Sequence, residues 1–123
     1  MKTILLIDDN EADNVYHDIV LRRHAAVHHV LARESADAAL QLLSNARDQW
    51  PDIIFVDLNM PGMDGIECIE QLARLVPPAR VRIFLLTSSD AEQDRQRASR
   101  LGIIEDYIIK PLTNEIVSRL LSA

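Results

Sequence analysis

Four apolar runs, at residues 3–8, 53–57, 81–87 and 107–110, are nearly continuous in Ile, Leu, Val and Phe, and a weaker one covers 27–31. Strands inside a parallel sheet covered by helices on both faces have this unalternating character, because neither side of the strand meets water. The weaker run holds His28 and His29 and reads as an edge strand. Helical periodicity fills the gaps. Asn10 with Asp13 caps a first helix whose Ala12, Val15, Tyr16 and Ile19, spaced i, i+3, i+4 and i+7, predict one inward-facing stripe. Ser35 opens a second helix with Ala36, Ala39, Leu40 and Leu43 inward. Asp64 followed by Glu67 opens a third that buries Ile66, Ile69, Leu72, Ala73 and Val76, until Pro77 and Pro78 stop it. A fourth, over 91–101, has a Ser89 to Glu92 capping box and Gly102 as its stop, yet offers a core only Ala91, Ala98 and Leu101, so it should pack loosely. Thr113 starts a short fifth with Ile116, Val117, Leu120 and Leu121 inward.

Strand–helix order repeated five times within 123 residues predicts one α/β domain with a doubly wound open sheet, since parallel neighbours need right-handed helical crossovers. Ligands of such sheets sit beyond the carboxyl ends of the strands. The apolar runs end there on Asp8-Asp9, Asp57, Thr87-Ser88 and Lys110-Pro111, which places three carboxylates, a hydroxyl and an ammonium on one rim. Two carboxylates about 4 Å apart repel by roughly 4 kcal/mol at an effective dielectric near 20. Three stay ionised together only if cations compensate. Lys110 supplies one positive charge. A hard divalent cation supplies the rest, and Mg²⁺ fits best because it uses few carboxylates and keeps waters or phosphate oxygens. Such a site suits receipt of a phosphoryl group, whose transfer rests mainly on positioning and charge neutralisation. An aspartate nucleophile would yield an acyl phosphate.

Composition removes several other classes. Thirteen Lys plus Arg against nineteen Asp plus Glu, a net charge of −6, leave no basic tract for a nucleic-acid backbone. One cysteine, Cys68, excludes an internal disulfide and a cysteine zinc cage and fits a reducing cytoplasm. No apolar run approaches the length of a membrane span. His17, His24, His28 and His29 have no zinc-like spacing and read as surface histidines. Arg95, Arg97 and Arg100 alternate with Glu92 and Asp94, as on a solvated face, with partner docking as the second reading.

In the stretch Val56-Asp57-Leu58-Asn59-Met60-Pro61-Gly62-Met63-Asp64-Gly65, with the acid pair before it and Thr-Ser and Lys-Pro after it, the chain resembles the response-regulator receiver domain, the phosphoacceptor module of two-component signalling. The likeness extends over nearly the whole length. It implies a flavodoxin-like (βα)5 fold with a five-stranded parallel sheet, and one receiver domain over 1–123 without an output domain, akin to stand-alone chemotaxis regulators. By this resemblance Asp57 takes a phosphoryl group from a sensor histidine kinase or histidine phosphotransfer protein, and the protein catalyses only its own phosphorylation and dephosphorylation. Asp9 would ligate Mg²⁺ directly, Asp8 mainly through water, Asp57 by its carboxylate and Asn59 by its backbone carbonyl. Thr87 would hydrogen-bond one phosphoryl oxygen and Lys110 pair with another, aimed by a cis Lys-Pro bond. Tyr107 falls on the family's switch aromatic, which turns inward as the Thr87 hydroxyl moves. Leu112 replaces a common Phe, and Ser88 a common Ala, leaving phosphoryl access intact. Output would be protein contact or onward phosphotransfer in the cytoplasm, without direct contact to nucleic acid or membrane, and a homodimer stays open. Two rivals stay open as well: a degenerate receiver serving as an unphosphorylated scaffold, and a phosphatase of the haloacid-dehalogenase kind, which usually has an Asp where Asn59 stands.

Overall fold

The computed structural model describes residues 2–46, 49–77 and 79–122. Strands and helices alternate as β1 (Lys2–Ile7), α1 (Glu11–Arg22), β2 (Val27–Arg33), α2 (Ala36–Ser44), β3 (Ile53–Val56), α3 (Gly65–Leu75), β4 (Arg82–Thr87), α4 (Glu92–Ser99), β5 (Asp106–Ile109) and α5 (Asn114–Leu121). The strands pair in parallel in the order β2-β1-β3-β4-β5, the flavodoxin-like order, with the His28–His29 strand on one edge and β5 on the other.

Side chains alternate across the sheet and so divide between two cores. Leu5, Ile7, Ile54, Val56, Ile83 and Leu85 face α2 and α3, with Ala98 of α4. Ile4, Leu6, Ile53, Phe55, Phe84, Leu86 and Ile108 face Val20 and Leu21 of α1 and Val117 and Leu120 of α5. Both faces are thus dry, which is why the central strands show no polar alternation. No helix of the described residues is long and apolar enough to cross a membrane.

The capping residues act as their chemistry predicts at four helices. Asn10, Ser35, Asp64 and Thr113 accept from the backbone N–H of Asp13, Ala38, Glu67 and Ile116 at 2.9–3.2 Å. The fourth helix differs. Its N-cap is Ala91 with no side-chain cap, because the Ser89 hydroxyl donates to the Asp94 carboxylate instead, and the helix ends at Ser99. Of its residues only Ala98 is buried, so it is as loosely held as its composition implies, and Ala91 is exposed. Ala73 of α3 is exposed too, while Val76 is buried. Pro78 lies outside the described residues.

The larger correction concerns α1. Val15, Tyr16 and Ile19 are 54%, 49% and 51% exposed, and the inward face is Asn14, His17, Val20 and Leu21. The first turns of α1 pass over the polar rim rather than over the apolar sheet, so their inward positions carry polar atoms. Asn14 Nδ2 donates to the backbone carbonyl of Asp8 at 2.9 Å. His17, read from sequence as a surface histidine, is 2% exposed beneath the rim.

Candidate functional site

Every β-strand points its carboxyl end to the same rim, so the residues that end the apolar runs converge. One carboxylate oxygen each from Asp8, Asp9 and Asp57 lies within 4.8 Å of the others. Asp8 and Asp57 are buried, Asp9 is exposed, and the cluster opens to solvent on the Asp9 side. Asn59 lies two residues beyond Asp57 with its side chain in solvent, and Thr87 is fully buried at the end of β4. The Thr87 hydroxyl accepts from the backbone N–H of Ser89 at 3.3 Å.

Lys110 reaches the cluster from the end of β5, where the Lys110–Pro111 peptide is cis. Its side chain shares strand parity with Ile108 and therefore points to the α1 side of the sheet. Nζ sits 2.7 Å from Asp8 Oδ2, 2.7 Å from Asp13 Oδ2 and 3.5 Å from Asp57 Oδ2. Burial opposes the charge on this ammonium, but the hydrogen bonds it donates to Asp13 and Asp8 and the field of Asp57 outweigh it and hold Lys110 above the ordinary lysine range. Asp57 responds in the opposite sense for an acid. Burial and the neighbouring Asp8 charge raise it above the ordinary aspartate value, while Lys110, the Thr87 hydroxyl and the Asn59 backbone N–H pull it back only in part.

Tyr107 has the other strand parity and faces α4. Its hydroxyl donates to the Ser89 carbonyl at 2.9 Å, and the Arg95 guanidinium stands 4.7 Å from the ring centroid. Arg95 is thus more than a solvated charge, and Arg97 pairs with Asp64 at the start of α3 at 3.2 Å. Cys68 is buried on α3 and its thiol is pushed up to about 12 by burial, well outside the rim.

Three residues near the rim were not singled out from sequence for the roles the geometry gives them. In the sequence Asp13 stands only as part of a cap, and Gly65 only as the last residue of the Val56 to Gly65 stretch. A Cβ on Gly65 would lie 2.3 Å from the Asp57 carbonyl oxygen, so the start of α3 packs on the backbone of the strand end itself. His17 joins Asn14, Asp8 and Asp57 around a cavity of about 10 Å³, and burial with the Lys110 charge keeps its imidazole below the ordinary histidine range. Its Nε2 and Asn14 Oδ1 have no hydrogen-bond partner among the described residues. The i, i+3 spacing of Asn14 and His17 was the available signal, overshadowed by the longer apolar stripe beside it.

A parallel sheet of order 2-1-3-4-5 that carries an acid cluster, a buried threonine and a lysine on its carboxyl rim defines a doubly wound α/β protein with three carboxylates placed where they could hold a metal ion. The family model of the response regulator receiver domain matches residues 4–121, and the chain belongs to that family. It is 28% identical to the protein PilH of Pseudomonas aeruginosa over 100% of this chain and 97% of that one. Against the two-component response regulator ORR1 of Oryza sativa the identity is 30% over 95% of this chain, which spans about half (52%) of that protein. A solved two-component response regulator of Cytophaga hutchinsonii superposes with a TM-score of 0.87 at 31% identity, covering 98% of this chain and 93% of that structure.

Proposed function

We propose that this receiver domain accepts a phosphoryl group on Asp57 from a phosphohistidine of a sensor kinase or phosphotransfer protein, works as a single receiver unit, and signals by altered protein contact or onward transfer. The observation that carries the reading is the clustering of Asp8, Asp9 and Asp57 with Lys110 at the end of the sheet. With Asp13, four carboxylates stand at the rim against one ammonium, which contacts three of them, Asp8, Asp13 and Asp57. That excess of negative charge, displayed on hard oxygen donors, fits a divalent cation of the Mg²⁺ type. Asp8, Asp9, Asp57 and the Asn59 carbonyl would hold it. Bound there, Mg²⁺ would neutralise charge on the transferred phosphoryl oxygens.

In the transfer, an Asp57 carboxylate oxygen attacks phosphorus, the P–N bond breaks, and the electron pair leaves with the imidazole, which takes up a proton. An acyl phosphate P–O bond remains on Asp57. Thr87 and Lys110 would then bind phosphoryl oxygens. Tyr107 would report the change to the face formed by α4, β5 and α5, where the single buried residue of α4 leaves an element that shifts cheaply. Incubation with acetyl phosphate and Mg²⁺ should add the mass of one phosphoryl group, and chelation of the metal should abolish the gain. A protein that stays unmodified at every Mg²⁺ concentration would favour the scaffold alternative.

The kinase or phosphotransfer partner must bring its phosphohistidine to a recessed Asp57, so it has to cover the surface around the rim. The exposed Ala12, Val15, Tyr16 and Ile19 of α1 offer an apolar face there, of the kind that marks docking sites. Burying one isoleucine side chain is worth about 1.5–3 kcal/mol. Ile19→Glu should therefore slow phosphotransfer from a phosphohistidine protein by roughly tenfold or more. Labelling by acetyl phosphate needs no docking surface and should stay near wild type; equal loss with both donors would place the defect in the site instead.

A further inference from the structure

Lys110 is shared unevenly among its neighbours. Its ammonium has three N–H donors, and at 2.7 Å it lies against Asp13 on α1 as closely as against Asp8, while Asp57 is 3.5 Å away. The Lys110 to Asp13 contact is a hydrogen bond that ties β5 to the first turn of α1 across ninety-seven residues of sequence. Asp13 is 38% exposed, whereas Lys110, Asp8 and Asp57 are each within a few per cent of full burial or at most 12% exposed. Resting on the assignment of Asp57 as phosphoacceptor, we propose that Asp13 is a positioning residue that tethers Lys110 and competes with the phosphoryl group for its ammonium.

The physical argument is one of competing anions. A phosphoryl group on Asp57 brings negative oxygens to the open side of the cluster, and the lysine must turn toward them to pair. An ionised Asp13, already in charge-assisted contact, draws the ammonium toward α1 instead. Asp13 therefore lowers both the rate at which Asp57 is modified and the stability of the modified form. A purely structural role is the competing account: Asp13 is an acid in the first turn of α1, where it favours the helix dipole whatever Lys110 does.

Asp13→Asn keeps the shape and removes the charge. With acetyl phosphate at saturating Mg²⁺, this variant should be modified about three- to tenfold faster than wild type, and its phosphorylated form should persist longer. Asp13→Glu should return both quantities toward wild type. In a Lys110→Met background, Asp13→Asn should change the rate less than about twofold. Where that background reacts too slowly to follow, Mg²⁺-dependent binding of beryllium trifluoride, a phosphoryl mimic, reads the same cycle by calorimetry. Equal rates for wild type and Asp13→Asn would overturn the proposal, and so would an acceleration of the same size with and without Lys110. Absence of phosphoryl uptake by wild-type protein is a different result, which would overturn the assignment of Asp57 itself and this tether with it.

Discussion

Asp57→Asn is expected to abolish Mg²⁺-dependent phosphoryl uptake while making the metal-free protein more stable at neutral pH. The first effect follows from chemistry: the amide oxygen is a poor nucleophile, and the acyl phosphate has no carboxylate on which to form. The second follows from the environment. Burial and Asp8 raise Asp57 above its ordinary value in the fold, so the folded state prefers the protonated acid. Ionising it therefore costs stability, a cost that sets in as pH climbs from the ordinary aspartate range through the raised folded value and persists above it. The amide carries no charge and escapes this cost. Thermal unfolding followed without metal should show the variant above wild type at pH 7, with the gap closing toward acid. Mg²⁺ should raise the midpoint of wild type more than that of the variant, because one oxygen donor of the cluster has lost its charge. An Asn variant that still takes up one phosphoryl group, or that unfolds below wild type at neutral pH, would remove Asp57 from the centre of the site.

Gly65→Ala should damage both fold and site, through backbone rather than side-chain contact. The Gly65 amide donates to the Leu58 carbonyl at 2.8 Å, which pulls the start of α3 against the end of β3. An added Cβ would meet the Asp57 carbonyl oxygen at 2.3 Å and Leu58 Cα at 2.7 Å, and neither atom belongs to a side chain that can swing away. Overpacking of this kind costs about 1–3 kcal/mol, which for a domain of this size lowers the unfolding midpoint by roughly 5–15 °C. Whatever relief the chain finds must move the peptide that carries Asp57. Displacement by about 1 Å can cost on the order of a hundredfold in rate, so phosphoryl uptake should fall by far more than stability. Gly62→Ala is the control. Gly62 has φ +77° with nothing within 4 Å of the added carbon, so it should lose only the roughly 1–2 kcal/mol of left-handed backbone and leave uptake unchanged.

The two glycines show where sequence reading stops. Gly62 lies in the loop after β3 and Gly65 opens α3; in sequence they are two glycines of one short stretch, yet one needs a backbone angle and the other needs an absent side chain, and only the neighbouring strand distinguishes them. The α1 helix teaches the same lesson at larger scale. Its i, i+3, i+4, i+7 apolar stripe is real, but an amphipathic pattern states which residues share a face and not which way that face turns. The rim under its first turns is polar, so Asn14, His17 and Asp13 turn toward the rim, and the apolar face is left for solvent or a partner.

The strands, their buried character and the carboxyl-end rim were legible in the linear chain because each depends on local features: an unbroken apolar run, a capping residue, a polar residue where the run stops. Parallel connection then forces Asp8, Asp9, Asp57, Thr87 and Lys110 to one end with no further information. The tertiary structure alone decided the rotation of α1, the sharing of Lys110 with Asp13 and the approach of Gly65 to Asp57. Those depend on distances between elements far apart in sequence, and an element's own residues carry no record of what it will be packed against.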